Sequence, residues 1–108
     1  MQRPENELDI QQLRASAEAA GQLLKALANP DRLLLLCQLS QGELNVTDLE
    51  ALSGIQQPTL SQQLAVLRSK SMVETRRAGK QVYYRISSSA ALAVIHVLYQ
   101  HFCAGDAK

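Results

Sequence analysis

Few side chains in this sequence could do covalent or metal chemistry. Two cysteines, Cys37 and Cys103, stand far apart, and two histidines, His96 and His101, fall near the C-terminus. Thiols at that spacing form neither a disulfide framework nor a zinc motif of the CxxC kind. On residue type alone both read as small apolar side chains buried on helix faces, with redox chemistry open only to an accessible thiolate. His96 and His101 have no carboxylate between residues 90 and 105, which leaves a metal site short of ligands. No nucleophile–base constellation and no phosphate-binding glycine loop is present. Neither an enzyme nor a metal or other cofactor is expected.

A different chemistry is written in the charge. The net charge is only +1, yet residues 57–85 hold six bases, Arg68, Lys70, Arg76, Arg77, Lys80 and Arg85, against Glu74 alone. Residues 1–56 carry four bases against eight acids. Positive charge gathered in one quarter of a chain is what a phosphate-contacting surface requires. Just ahead of those bases, Gln57, Thr59, Ser61, Gln62 and Gln63 supply amides and hydroxyls without charge. A glutamine can bridge two groups on a base edge, and serine or threonine reaches bases or phosphates. Double-stranded DNA is therefore the expected partner, with bases read by the uncharged set and the backbone held by Arg68, Lys70, Arg76, Arg77 and Lys80.

Such groups need elements to hold them. A length of 108 residues fits one domain, and an apolar content carried by Leu and Ala, without Trp, favours helices. From Leu8 the positions Leu13, Ala17, Ala20, Leu24 and Leu27 mark one helical stripe ending near Asn29-Pro30. Asn29 caps a second helix that begins with Pro30 and Asp31, is apolar all round, and runs to about Leu39. Asn45-Val46-Thr47 opens a short third helix, Asp48 to Ser53, which Gly54 stops. A fourth starts at Gln56-Gln57-Pro58 and reaches about Ser69. Its Leu60, Leu64 and Leu67 face inward, and Gln62, Ala65 and Ser69 face outward.

After Met72 the period drops to two. Val73, Thr75 and Arg77 form one strand, Ala78-Gly79-Lys80 a turn, and Val82, Tyr84 and Ile86 a second strand. Ser87 to Ser89 then open a last helix with the stripe Leu92, Ile95, Tyr99 and Phe102, extending to Cys103. The expected fold is mainly α with a small β-hairpin, a winged helix-turn-helix in the order ααααββα. It occupies residues 8–104, between a flexible N-terminal tail, 1–7, and a C-terminal tail, 105–108. Neither a secretory signal nor a membrane-spanning run is visible, so a cytoplasmic location with reduced thiols is expected and no membrane partner.

The segments LLKALANPDRLLLLCQL, LSGIQQPTLSQQLAVLRSKSMVETRR and GKQVYYRI resemble the arsenic-repressor (ArsR) family of bacterial winged-helix regulators, across roughly residues 13–103. The resemblance implies a homodimer built on the first and last helices, bound to an inverted repeat and released by an inducer. Gln63 departs from it, standing where many relatives carry His. Metal-sensing relatives place two cysteines in the third helix, and the matching stretch here, Glu43 to Leu49, has none. Others bind zinc between their last helices through carboxylates and histidines, of which only His96 and His101 remain. The positions of Cys37 and Cys103 resemble the thiol- and persulfide-sensing BigR/HlyU-like subgroup. That implies a redox-sensing pair that joins covalently, with a small oxidant or persulfide as inducer. Two alternatives stay open: a metal-responsive repressor of the same fold with non-standard ligands, and a winged-helix protein interaction module. The basic segment speaks against the second.

Overall fold

A computed structural model describes residues 10–103. The expected helix start at Leu8 and both tails lie outside the described residues. Helices α1 (Ile10–Leu27), α2 (Pro30–Leu39), α3 (Val46–Ser53), α4 (Thr59–Ser69) and α5 (Ser89–Phe102) occur with strands β1 (Leu44–Asn45), β2 (Val73–Ala78) and β3 (Gln81–Ile86). The expected order of helices and hairpin strands holds, with β1 as an addition. Its Leu44 and Asn45 pair antiparallel with Tyr84 and Tyr83, giving a three-stranded sheet in the order β1-β3-β2. Two residues are too few to show an alternating pattern, so the sequence offers this strand only as a lead-in to α3.

Helix starts follow the chemistry of their caps. The side chains of Asn29, Asn45 and Ser88 accept hydrogen bonds from the backbone N–H groups of Arg32 (3.1 Å), Asp48 (2.7 Å) and Ala91 (3.0 Å). Each satisfies a donor that the helix itself cannot. Because Asn45 is the cap, α3 begins at Val46, ahead of the expected Asp48. Pro58 takes the capping position of α4, so the helix begins at Thr59, three residues after the expected Gln56. Gly54 ends α3 at φ 76°, a left-handed backbone that turns the chain toward α4.

The core gathers around α2, which packs against α1, α3, α4, α5 and β3. Its Leu35 and Leu36 are wholly buried together with Leu49 of α3, Leu60, Leu64 and Leu67 of α4, and Ile95 of α5. Burying a leucine completely stabilises a fold by about 1.5–3 kcal/mol, so three on α4 fix its seat firmly.

The outer helices leave part of their apolar stripes uncovered. On α1 only Ala26 and Leu27 are buried, and Leu13 and Leu24 are 57% and 56% exposed. On α5 the stripe is split: Ile95 is buried, but Tyr99 and Phe102 are 45% and 70% exposed. No described residue of the same chain covers these faces. Leu34 of α2 is also exposed, so that helix is not enclosed on every side.

Candidate nucleic-acid interface

Helix α4 is divided cleanly along its length. Leu60, Leu64 and Leu67 are buried, and Thr59, Ser61, Gln62, Ala65, Arg68 and Ser69 are exposed. Gln57, also exposed, folds over the first turn, its Oε1 accepting from the Ser61 backbone N–H at 3.1 Å. That ties one of the amide's groups to the helix start. Between α4 and the sheet runs an open groove of about 330 Å³, lined by Ser61, Ala65, Arg68 and Ser69 on one side and Tyr84 on the other.

The hairpin sorts its bases by strand pleat. Val73 pairs with Ile86, Thr75 with Tyr84 and Arg77 with Val82 on one face, where Val73, Tyr84 and Ile86 pack against the core and Arg77, nearer the tip, is exposed. Glu74, Arg76, Tyr83 and Arg85 stand on the outer face. There Arg76 donates from Nε and Nη2 to the two carboxylate oxygens of Glu43, each at 2.8 Å. Its guanidinium carbon lies 4.7 Å from the centroid of the Tyr83 ring. The hydrogen bond from Arg76 holds the Glu43 carboxyl below its ordinary range. Arg85 pairs with Glu74 on the same face. Among the described residues Arg68, Lys70, Arg77 and Lys80 form no ion pair, and all four are exposed.

Two of the residues expected to touch DNA are engaged elsewhere. Arg76 is held by Glu43, a partner that the sequence could not name without β1. Gln63 is half-buried and turned inward, its Oε1 accepting from Arg32 Nη1 at 2.9 Å. Lying about 60° from the buried leucine stripe, it falls on the flank facing α2 rather than on the outer face.

The thiols sit on packed neighbours, α2 and α5. Cys37 is half-buried against the core, and Cys103 is exposed as the residue that ends α5. The expectation of two buried apolar side chains therefore suits Cys37 and not Cys103. Burial pushes the Cys37 thiol up, and the nearby Cys103 adds to the effect, because two thiolates would repel. His96 and His101 are exposed, and among the described residues no group of three His, Cys, Asp or Glu side chains could hold a metal. No described helix is long and apolar enough to cross a membrane.

The family described as bacterial regulatory protein, arsR family, matches residues 29–75, from the cap of α2 to the middle of β2. The biofilm growth-associated repressor of Agrobacterium fabrum is 48% identical over 100 residues, covering 93% of this chain and 86% of that protein. The crystal structure of the transcriptional repressor BigR from Xylella fastidiosa superposes with a TM-score of 0.79 at 45% identity, over 95% of this chain and 98% of that one. Reduced HlyU from Vibrio cholerae gives a TM-score of 0.83 at 38% identity, covering 87% and 99%. These relatives are named as regulators, in agreement with the expectation that the chain is not an enzyme.

Proposed function

Since the chain belongs to the arsR family of bacterial regulatory proteins, we propose that it is a cytoplasmic transcriptional repressor whose hold on double-stranded DNA is broken when Cys37 and Cys103 become joined. The observation that carries the DNA half is the divided surface of α4, an exposed first half without charge flanked by Arg68, Lys70, Arg77 and Lys80, which form no ion pair among the described residues. Thr59, Ser61 and Gln62, with Gln57 ahead of them, reach base edges in a major groove, and the four bases grip phosphates on either side.

The repressor works as a homodimer. Ile10, Leu13 and Leu24 on α1, with Val97, Tyr99 and Phe102 on α5, are large apolar side chains left exposed by one chain. Large apolar side chains left exposed on two helices in this way mark a partner surface. Two copies paired through α1 and α5 present two α4 helices to half-sites about 34 Å apart, the repeat of one DNA turn.

The inducer is a persulfide. Cys103, the exposed thiol, takes the outer sulfur of a persulfide RSSH and releases RSH. Cys37 then attacks the inner sulfur of the Cys103 persulfide, forming the disulfide and expelling hydrogen sulfide. The sulfane sulfur is the oxidant, and both displaced protons leave on sulfur. Joining α2 to the end of α5 displaces both helices, α5 with its apolar dimer face and α2 against α4, and with them the placement of the two α4 helices. Operator binding and intact mass, measured before and after persulfide treatment, test this. The parent should form the bridge and leave the operator, and Cys37→Ser and Cys103→Ser should stay bound. A single-serine variant released as readily as the parent overturns the bridging step.

A further inference from the structure

Arg32, in the first turn of α2, reaches two other helices at once. Its backbone N–H is held by the Asn29 cap, its Nε donates to Ala26 O at the end of α1 (2.6 Å), and its Nη1 donates to Gln63 Oε1 in α4 (2.9 Å). The guanidinium is thus fixed at its root and at both working ends. Among the described residues the bond to Gln63 is the one hydrogen bond between α2 and α4; the buried leucines seat α4 but carry no direction of their own. A charge-assisted hydrogen bond is short and oriented, so it adds a directional tie to that packing.

Cys37 lies five residues further along the same helix, about 7.5 Å up its axis. The helix has ten residues with its only proline at the start, so it moves as a rigid rod. We infer that Arg32 is a positioning residue for α4, and that its bond to Gln63 is the link by which a displacement of α2 at Cys37 is passed to the DNA-reading helix. This rests on the thiol pair acting as proposed above. It also gives Gln63 a role other than DNA contact, since its acceptor oxygen is already taken and its side chain is turned inward.

Gln63→Met keeps the length of the side chain and removes the acceptor, and Gln63→Glu keeps the acceptor. Each would be compared with the parent for operator affinity before and after inorganic polysulfide, with the bridged fraction read by intact mass. The readout is the ratio of the two affinities, which a merely structural role would not move. The parent ratio should lie in the ~5–150-fold range usual for coupled sites, falling below about threefold in Gln63→Met. Gln63→Glu should recover the parent ratio, although its charge beside phosphates lowers both affinities. Arg32→Met, which keeps an aliphatic stem and has no donor for either acceptor, should behave like Gln63→Met. If Gln63→Met bridges fully and keeps the parent ratio, the link is overturned and the thiol switch stands. If the parent forms no bridge, both fall.

Discussion

Arg76 and Arg77 are neighbours in sequence and stand on opposite faces of β2, one bound to Glu43 and the other exposed without an ion pair among the described residues. Their contributions to DNA binding should differ accordingly. Removing a side chain that neutralises one phosphate lowers the slope of log affinity against log salt by about one unit. Arg77→Ala should flatten that slope by about one unit. Arg76→Ala should leave it unchanged and instead loosen the wing, seen as faster amide exchange in β1 and β3. Equal slopes for the two variants would contradict the division.

The Arg76–Glu43 tie has a definite acid limit. Because the folded-state pKa of Glu43 is depressed, the tie contributes fully above the ordinary glutamate range. That contribution is lost as pH falls through the depressed value. The wing should therefore be indifferent to pH between about 6 and 8, well above the ordinary glutamate pKa of ~4.3. In stronger acid the Tyr83 ring signals in NMR should shift as the guanidinium leaves the ring. Glu43→Gln should abolish the acid step.

Gln62 offers both donors and acceptors on the outer face of α4 and carries no charge. Gln62→Ala should lower discrimination between operator and altered sequence by about 1–3 kcal/mol per half-site. Affinity for unrelated DNA should barely change. A uniform loss on every sequence would assign Gln62 to the backbone.

The two thiols should differ in plain alkylation kinetics. Cys103 is exposed, and Cys37 is half-buried with its pKa raised by burial and by Cys103. Peptide mapping after brief iodoacetamide treatment at pH 7 should show Cys103 labelled first. Labelling of Cys37 should rise only at a pH above the ordinary thiol range, since the thiolate is the reacting form.

Leu13→Glu and Phe102→Glu each put a charge on the exposed apolar face, where a paired chain would have to bury it. Both should shift sedimentation toward the monomer and weaken operator binding at least tenfold, about 1.4 kcal/mol. A variant that stays dimeric would place the interface elsewhere.

Much of this was legible from local chemistry. Asn29 and Pro30 announce the start of α2, the i, i+4, i+7 leucines announce which way α4 faces, and alternation at Val82, Tyr84 and Ile86 announces β3. What stayed hidden depends on residues distant in the chain meeting in space. Glu43 meets Arg76 only because a two-residue strand docks on β3, and Arg32 meets Gln63 only because α2 crosses α4. Stripe periodicity names Tyr99 and Phe102 without saying what covers them, because an apolar face looks the same in sequence whether its cover comes from its own chain or another.

The clean split of α4 bears on how such repressors diverge. No residue of its outward set is also one of the three leucines that seat it. Under the proposed function, drift at Thr59, Ser61 or Gln62 would change the address being read without disturbing the angle of the reader. A duplicated copy would acquire a new operator through a handful of surface changes, each tolerated by the fold along the way. The scaffold would stay recognisable long after its targets had ceased to be shared.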